Sequence, residues 1–202
     1  MKPHYVNTIW GYPISQDVQS QSTIHQINDW IGSLDLHTLC FDDAFTFSHC
    51  RTSLTNPQNT TVDYTTILNV VQRQFNTYLQ SLSPLVELNI ELEHPWINSY
   101  GWKGFQDCHD HQGSNQSDFS WCYVHEPAKS HLVFKNRNAT ASDMSLQDLL
   151  GHYSEHFDYV PSRIVKGTLY IFPSSTLHAV SPNLSPDDQR VTISGNIRVR
   201  PL

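Results

Sequence analysis

Charge is scarce in this sequence. Only 15% of the 202 residues are charged, and Lys+Arg 12 stands against Asp+Glu 19, a formal net charge of −7. No cluster of Lys or Arg occurs; the nearest approach to one is Arg198 and Arg200. A chain that holds nucleic acid by its phosphates needs a basic face, so nucleic acid is not expected as the principal partner. Long apolar runs are missing too: nothing approaches the ~20 residues that a membrane-spanning helix requires. The four cysteines, Cys40, Cys50, Cys108 and Cys122, include no Cys-x-x-Cys pair. With no signal peptide in evidence, they are expected to be reduced thiols, and the protein is expected in the cytoplasm. On that footing the Asn-x-Ser/Thr triplets at Asn59, Asn115, Asn138 and Asn183 are compositional accidents rather than glycan sites.

What is present suits a folded core. Hydrophobic residues make up 38% and aromatics 11%, and with the many β-branched residues this composition leans towards strands. The length fits one domain, or a domain with a helical extension. Ile24, Ile27, Trp30 and Ile31 recur at spacings of three and four and predict a helix over about Ser22 to Leu34. A stronger stripe of Ile67, Val70, Val71, Phe75, Tyr78, Leu79 and Leu82 predicts a second over Val62 to Leu82, with Asp63 in its first turn and Pro84 stopping it.

From Leu85 the texture changes. Short runs at Val86–Leu92, Ser120–Val124, His131–Phe134, Thr168–Phe172 and Val191–Ile197 read as strands, separated by Gly113, Pro127, Pro161, Gly167, Pro173, Pro182 and Pro186. With no helix between most of them, they predict antiparallel sheets closed into a sandwich or jelly roll. The stretch Ser145 to Phe157 reads as loop or a brief helix.

His109 and His111 are two apart, so on a strand both imidazoles face one side and reach one ion, whether Fe(II), Zn, Cu or Ni. A chain with 12 histidines meets roughly one His-x-His by chance, and two surface histidines are the bland alternative. Further on, a turn at Gly167, a buried strand and a loop lead to His178, and Arg190 opens the next strand. An inward-facing arginine is costly unless it meets an anion, and its fork suits a carboxylate. An ordinary edge-strand arginine in solvent is the alternative.

These motifs, in this order, resemble the Fe(II)/2-oxoglutarate-dependent dioxygenases with their double-stranded β-helix. The likeness runs from Trp96 to Ile197, about half the chain. It is nearest to a small phage and bacterial branch that carries His-x-His rather than His-x-Asp. The motif stands here as His109-Asp110-His111-Gln112-Gly113-Ser114. Trp96-Ile97-Asn98-Ser99-Tyr100 and Gly104-Phe105-Gln106 resemble the strand leading into the first ligand. Gly167 to Phe172, with Pro173, Ser174, His178, Val180 and Pro182, and then Arg190 to Asn196 resemble the two stretches that follow it.

The resemblance implies a mainly β domain, a jelly roll of the cupin-like kind, packed against N-terminal helices. It would span residues 1–202, with 1–84 as helical support and 85–202 as the β core. It implies His109 and His178 as metal ligands and His111 as the third, with Asp110 in reserve if the chain bends there. Arg190 would pair with the distal carboxylate of 2-oxoglutarate and Thr192 would assist. Asn98, Tyr100 and Tyr123 are candidate cosubstrate contacts, and Gln106 is a candidate for the substrate side. Fe(II), 2-oxoglutarate and O2 would serve hydroxylation of an unactivated C–H bond in a protein side chain, peptide or small molecule. Segments Asn115–Asp118 and Asn136–Ser162 would form the lid. Phage origin would make the host cytoplasm its compartment. Two rival readings keep the barrel: a three-histidine dioxygenase that does without 2-oxoglutarate, and a cupin-like metal-binding module without turnover.

Overall fold

The computed structural model describes residues 5–9, 12–42, 48–111, 117–136, 158–161 and 164–202. The expected loop or helix at Ser145–Phe157, half of the lid segment Asn115–Asp118 and most of Asn136–Ser162 lie outside the described residues, as do Gln112, Gly113 and Ser114.

Strands alternate their side chains between two faces, and here that alternation creates three layers. Strands β1 (Tyr5–Ile9) and β2 (Tyr12–Val18) come first, followed by helices α1 (Gln21–Gly32) and α2 (Leu36–Leu39). Short strands β3 (Phe41–Asp42), β4 (Ser48–His49) and β5 (Arg51–Thr52) lead to helix α3 (Thr65–Leu82). Then come β6 (Leu88–Leu92), β7 (Trp96–Tyr100), β8 (Phe105–His109), β9 (Phe119–Glu126), β10 (Leu132–Lys135) and β11 (Asp158–Tyr159). The chain closes with β12 (Thr168–Pro173), β13 (His178–Val180) and β14 (Arg190–Pro201).

Among the described residues the larger sheet runs β1-β2-β12-β9-β14-β7-β5-β3, with β6 paired to the far end of β14, and the smaller runs β11-β10-β13-β8-β4. All the pairings are antiparallel. Two antiparallel sheets facing each other, with helices behind the larger, make the double-stranded β-helix.

The apolar stripe of α3 lies on the outer face of the large sheet. Val71, Phe75, Tyr78 and Ile67 share a core with Ile27 and Ile31 of α1 and with Ile97, Trp121, Tyr123, Leu169, Ile171, Ile193 and Ile197 of the strands. A second core between the sheets joins Ile14, Val124, Leu132, Phe134, Tyr170 and Phe172. Ser20 caps α1 by accepting the Thr23 N–H at 3.2 Å. Asp63 stands just before α3 rather than in its first turn, accepting the Thr65 N–H at 2.9 Å. Ser83 ends that helix in the left-handed conformation, ahead of Pro84.

One boundary needs correction. Residues 1–84 are more than helical support, because β1 and β2 extend the large sheet through β12. The β2 segment hides from pattern reading because both its faces are covered. Ile14 enters the core between the sheets, while Ser15 faces α3 and receives a hydrogen bond from Gln74 at 3.1 Å. An apolar–polar alternation is therefore not the signature of its burial.

Gly195 sits in the middle of β14, on the face towards the helices. A Cβ there would lie 2.6 Å from Cζ2 of Trp121, a ring that is 1% exposed. Gly195→Ala is expected to cost about 1–3 kcal/mol through overpacking, read as a lowered midpoint in urea unfolding; an unchanged midpoint would mean that Trp121 has room to move.

Candidate metal centre

His109 ends β8 and His178 begins β13, and the antiparallel register sets them directly opposite each other. Their rings lie 4.3 Å apart between centroids. His111 follows β8, with its ring 5.3 Å from His109 and 5.0 Å from His178. Donor atoms of all three lie within 4.8 Å of one another. Asp110 is not part of this group among the described residues.

Each imidazole has its Nδ1 against an oxygen: His109 against Asp107 O at 2.7 Å, His178 against Thr176 O at 2.9 Å, and His111 against Asn196 Oδ1 at 2.7 Å. A carbonyl oxygen only accepts, so Nδ1 carries the proton and Nε2 carries the lone pair. Burial favours the neutral form of two of these rings. His111 is lowered to about 4, chiefly by desolvation, and His178 is pushed well below the ordinary imidazole range by burial and by repulsion from His109 and His111. Three imidazole nitrogen donors fit a divalent first-row metal such as Fe(II).

Strand β14 supplies the rest of the interior. Arg190, Thr192, Ser194 and Asn196 fall on one face, and the register places Tyr100, Asn98 and Trp96 of β7 beside the first three. Trp96 lies 5.9 Å from His111, ring to ring, so this end of the strand is the metal end. Arg190 is at the other end, 0% exposed. Its Nη1 donates to Ser130 O at 3.0 Å and Pro127 O at 3.3 Å, while Nε and Nη2 have no hydrogen-bond partner among the described residues. A guanidinium buried with one edge unsatisfied suits a carboxylate.

Tyr100 donates to Gln106 Oε1 at 3.1 Å. Burial pushes its phenol up despite the nearby Arg190, so Tyr100 stays a donor. Cys122 of β9 lies in the same space, where burial raises its thiol against the pull of Arg190.

The structure thus brings His109, His111, His178, Arg190, Thr192, Asn98, Tyr100 and Gln106 into one interior. Tyr123 is not brought there. It pairs with Ile193 and joins the core under the helices, one residue out of phase with Thr192. Cys122, Ser120 and Asn196 carry no role in the sequence reading. The signal for Asn196 was available, since β14 alternates polar residues from Arg190 through Thr192 and Ser194 to Asn196.

Metal-ligand chemistry at the strand ends of a double-stranded β-helix, with a buried arginine further along the interior, defines a non-haem oxygenase type of centre. The comparisons agree with that class. A sequence model of the family described as "Putative 2OG-Fe(II) oxygenase" matches residues 94–196, and the chain belongs to this family of oxidoreductases. A prolyl-4-hydroxylase from Pseudomonas putida has the same fold, at 14% identity over 93% of this chain and 92% of that one, with a TM-score of 0.60. So does an oxidoreductase of the 2OG-Fe(II) oxygenase family from Burkholderia pseudomallei, at 12% identity over 92% and 84%, TM-score 0.59. HygX from Streptomyces hygroscopicus, solved with nickel and 2-oxoglutarate bound, matches at 10% identity over 93% and 82%, TM-score 0.58. No curated protein matches the chain. Among the described residues no helix is long and apolar enough to cross a membrane.

Burial of neutral imidazoles ties stability to pH. The ordinary imidazole value is 6.5, and His111 and His178 are depressed from it. Below about pH 6.5 the unfolded chain takes up protons that the folded one refuses, so stability falls as pH falls. Metal-free protein is expected to melt lower at about pH 5 than at about pH 7, with His178→Gln reducing the difference. Thermal melts at the two values check this; equal melting temperatures would contradict burial of neutral rings.

Proposed function

We propose that this protein is an Fe(II)- and 2-oxoglutarate-dependent dioxygenase that hydroxylates an unactivated C–H bond of a protein side chain, peptide or small molecule. In this reading His109, His111 and His178 hold the metal, and Arg190, assisted by Thr192, receives the distal carboxylate of 2-oxoglutarate. The observation that carries it is a fully buried Arg190 with two guanidinium nitrogens that have no hydrogen-bond partner among the described residues, in the same interior as three clustered histidines.

Bound iron and 2-oxoglutarate supply the oxidising power, consuming dioxygen and giving succinate and carbon dioxide. The chain's own residues do the positioning. Ser130 and Pro127 carbonyls hold Nη1 of the guanidinium and leave Nε and Nη2 for the cosubstrate carboxylate in this reading. Thr192 and Asn98, opposite each other on β14 and β7, provide polar groups beside it. Tyr170 and Phe172, in the core between the sheets, exclude water from that interior. Gln106, tied to Tyr100, is the proposed group on the substrate side. The substrate is the partner in view; nucleic acid does not suit a chain with a net charge of −7.

The three-histidine set also suits a dioxygenase that dispenses with 2-oxoglutarate, but that chemistry leaves the buried cation of Arg190 without a purpose. Titration calorimetry with Mn(II), with and without 2-oxoglutarate, separates the two. Binding of 2-oxoglutarate is expected only with metal present. Arg190→Ala is expected to weaken it at least roughly 30-fold, about 2 kcal/mol, while Mn(II) still binds. If 2-oxoglutarate binding is indifferent to Arg190, the dicarboxylate reading fails; if no metal binds, both enzyme readings do.

A further inference from the structure

The three imidazoles are not held alike. His109 and His178 give their Nδ1 protons to backbone carbonyls two residues earlier, Asp107 and Thr176. Those acceptors belong to the main chain. His111 lies beyond the end of β8, and its Nδ1 meets a side chain from the other sheet, Asn196 Oδ1 at 2.7 Å. The same oxygen accepts the Ser120 hydroxyl at 3.0 Å, and Ser120 contacts the Ser174 hydroxyl at 2.9 Å. The backbone carbonyl of Ser174, not its hydroxyl, accepts the backbone N–H of His111 at 2.9 Å. The chain of contacts leaves His111 by its ring and returns to its own backbone.

We propose that Asn196 is a positioning residue for His111, holding the imidazole in the tautomer that keeps the Nε2 lone pair for a metal. This rests on the reading of the three histidines as the metal site. A carboxamide offers both an acceptor and a donor. Presented by its oxygen, it takes the Nδ1 proton. Presented by its nitrogen, it would donate to Nδ1 and drive the ring proton to Nε2, which removes the ligand. Ser120 is the hydroxyl that donates to the oxygen and favours the first orientation. Supports of this kind behind a ligand histidine are generally worth 10–100-fold in metal affinity. Asn196 also crosses from the large sheet to a ligand on the small one, so it sets the distance between His111 and its two companions.

The test uses the full chain and Co(II) as the probe, with affinity from titration calorimetry and coordination from the visible absorption of the bound ion. Melts in chelator establish that each variant is folded. Asn196→Ala is expected to bind Co(II) roughly 10–100-fold more weakly, with an altered band. Asn196→Asp, which can only accept, is expected to restore binding to the wild-type level or above. Should Asn196→Ala fail to fold, Ser120→Ala reads the same network, with a several-fold loss expected. Wild-type affinity in Asn196→Ala, or in Ser120→Ala where that variant stands in, overturns the proposal, as does an Asp variant no better than Ala. A wild-type chain that binds no Co(II) would instead overturn the metal site itself.

Discussion

Successive side chains on β14 point to opposite faces, so this one strand has to satisfy two unlike surroundings. Towards the helices it presents Val191, Ile193 and Ile197, all buried in the core that α3 covers. Between the sheets it presents Arg190, Thr192, Ser194 and Asn196, a row of polar groups with a cation at one end. A fully buried guanidinium is expensive unless its donors are met. The loop around Pro127 and Ser130 meets one nitrogen, and the other two are buried with no hydrogen-bond partner among the described residues. The remaining architecture follows from keeping that row enclosed. Strands β7 and β9 flank β14, the small sheet covers the row, and the helices seal the apolar side. Gly195 belongs to the same constraint, because its apolar-side position leaves room for Trp121 against the strand.

The features most legible in the sequence were those with a repeating period. The stripe from Ile67 to Leu79 identified α3, and the runs after Leu85 identified β6, β9, β10, β12 and β14 to within a few residues. Spacing brought His109 and His111 to one side, and motif order linked them with His178 and Arg190. What stayed hidden lacked a local signal. Strand β2 buries Ser15 towards a glutamine on α3, so its burial does not register as hydrophobicity. Tyr123 was misread because residue type alone does not reveal phase. In register with Ile193, it can only point to the helices, whatever its hydroxyl might offer a ligand.

The choice of a histidine at position 111 also bears on charge. Were it a carboxylate, a divalent metal, a 2-oxoglutarate dianion and Arg190 would bring the interior to neutrality. With a neutral imidazole there, the same set would leave one positive charge over, and an uncompensated charge in a dry site is costly. Two acids lie close enough to act on His111: Asp110 and Glu93. Glu93 is paired with Arg198. Asp110 adjoins both histidines in sequence and stands outside the donor group. Its carboxylate is placed to offset the excess through space, without competing for the metal. The negative charge would then sit beside the centre, in the neighbouring residue, rather than among its ligands. On this account Asp110 has an electrostatic reason to occupy the middle of His109-Asp110-His111, although it is not in the donor group itself.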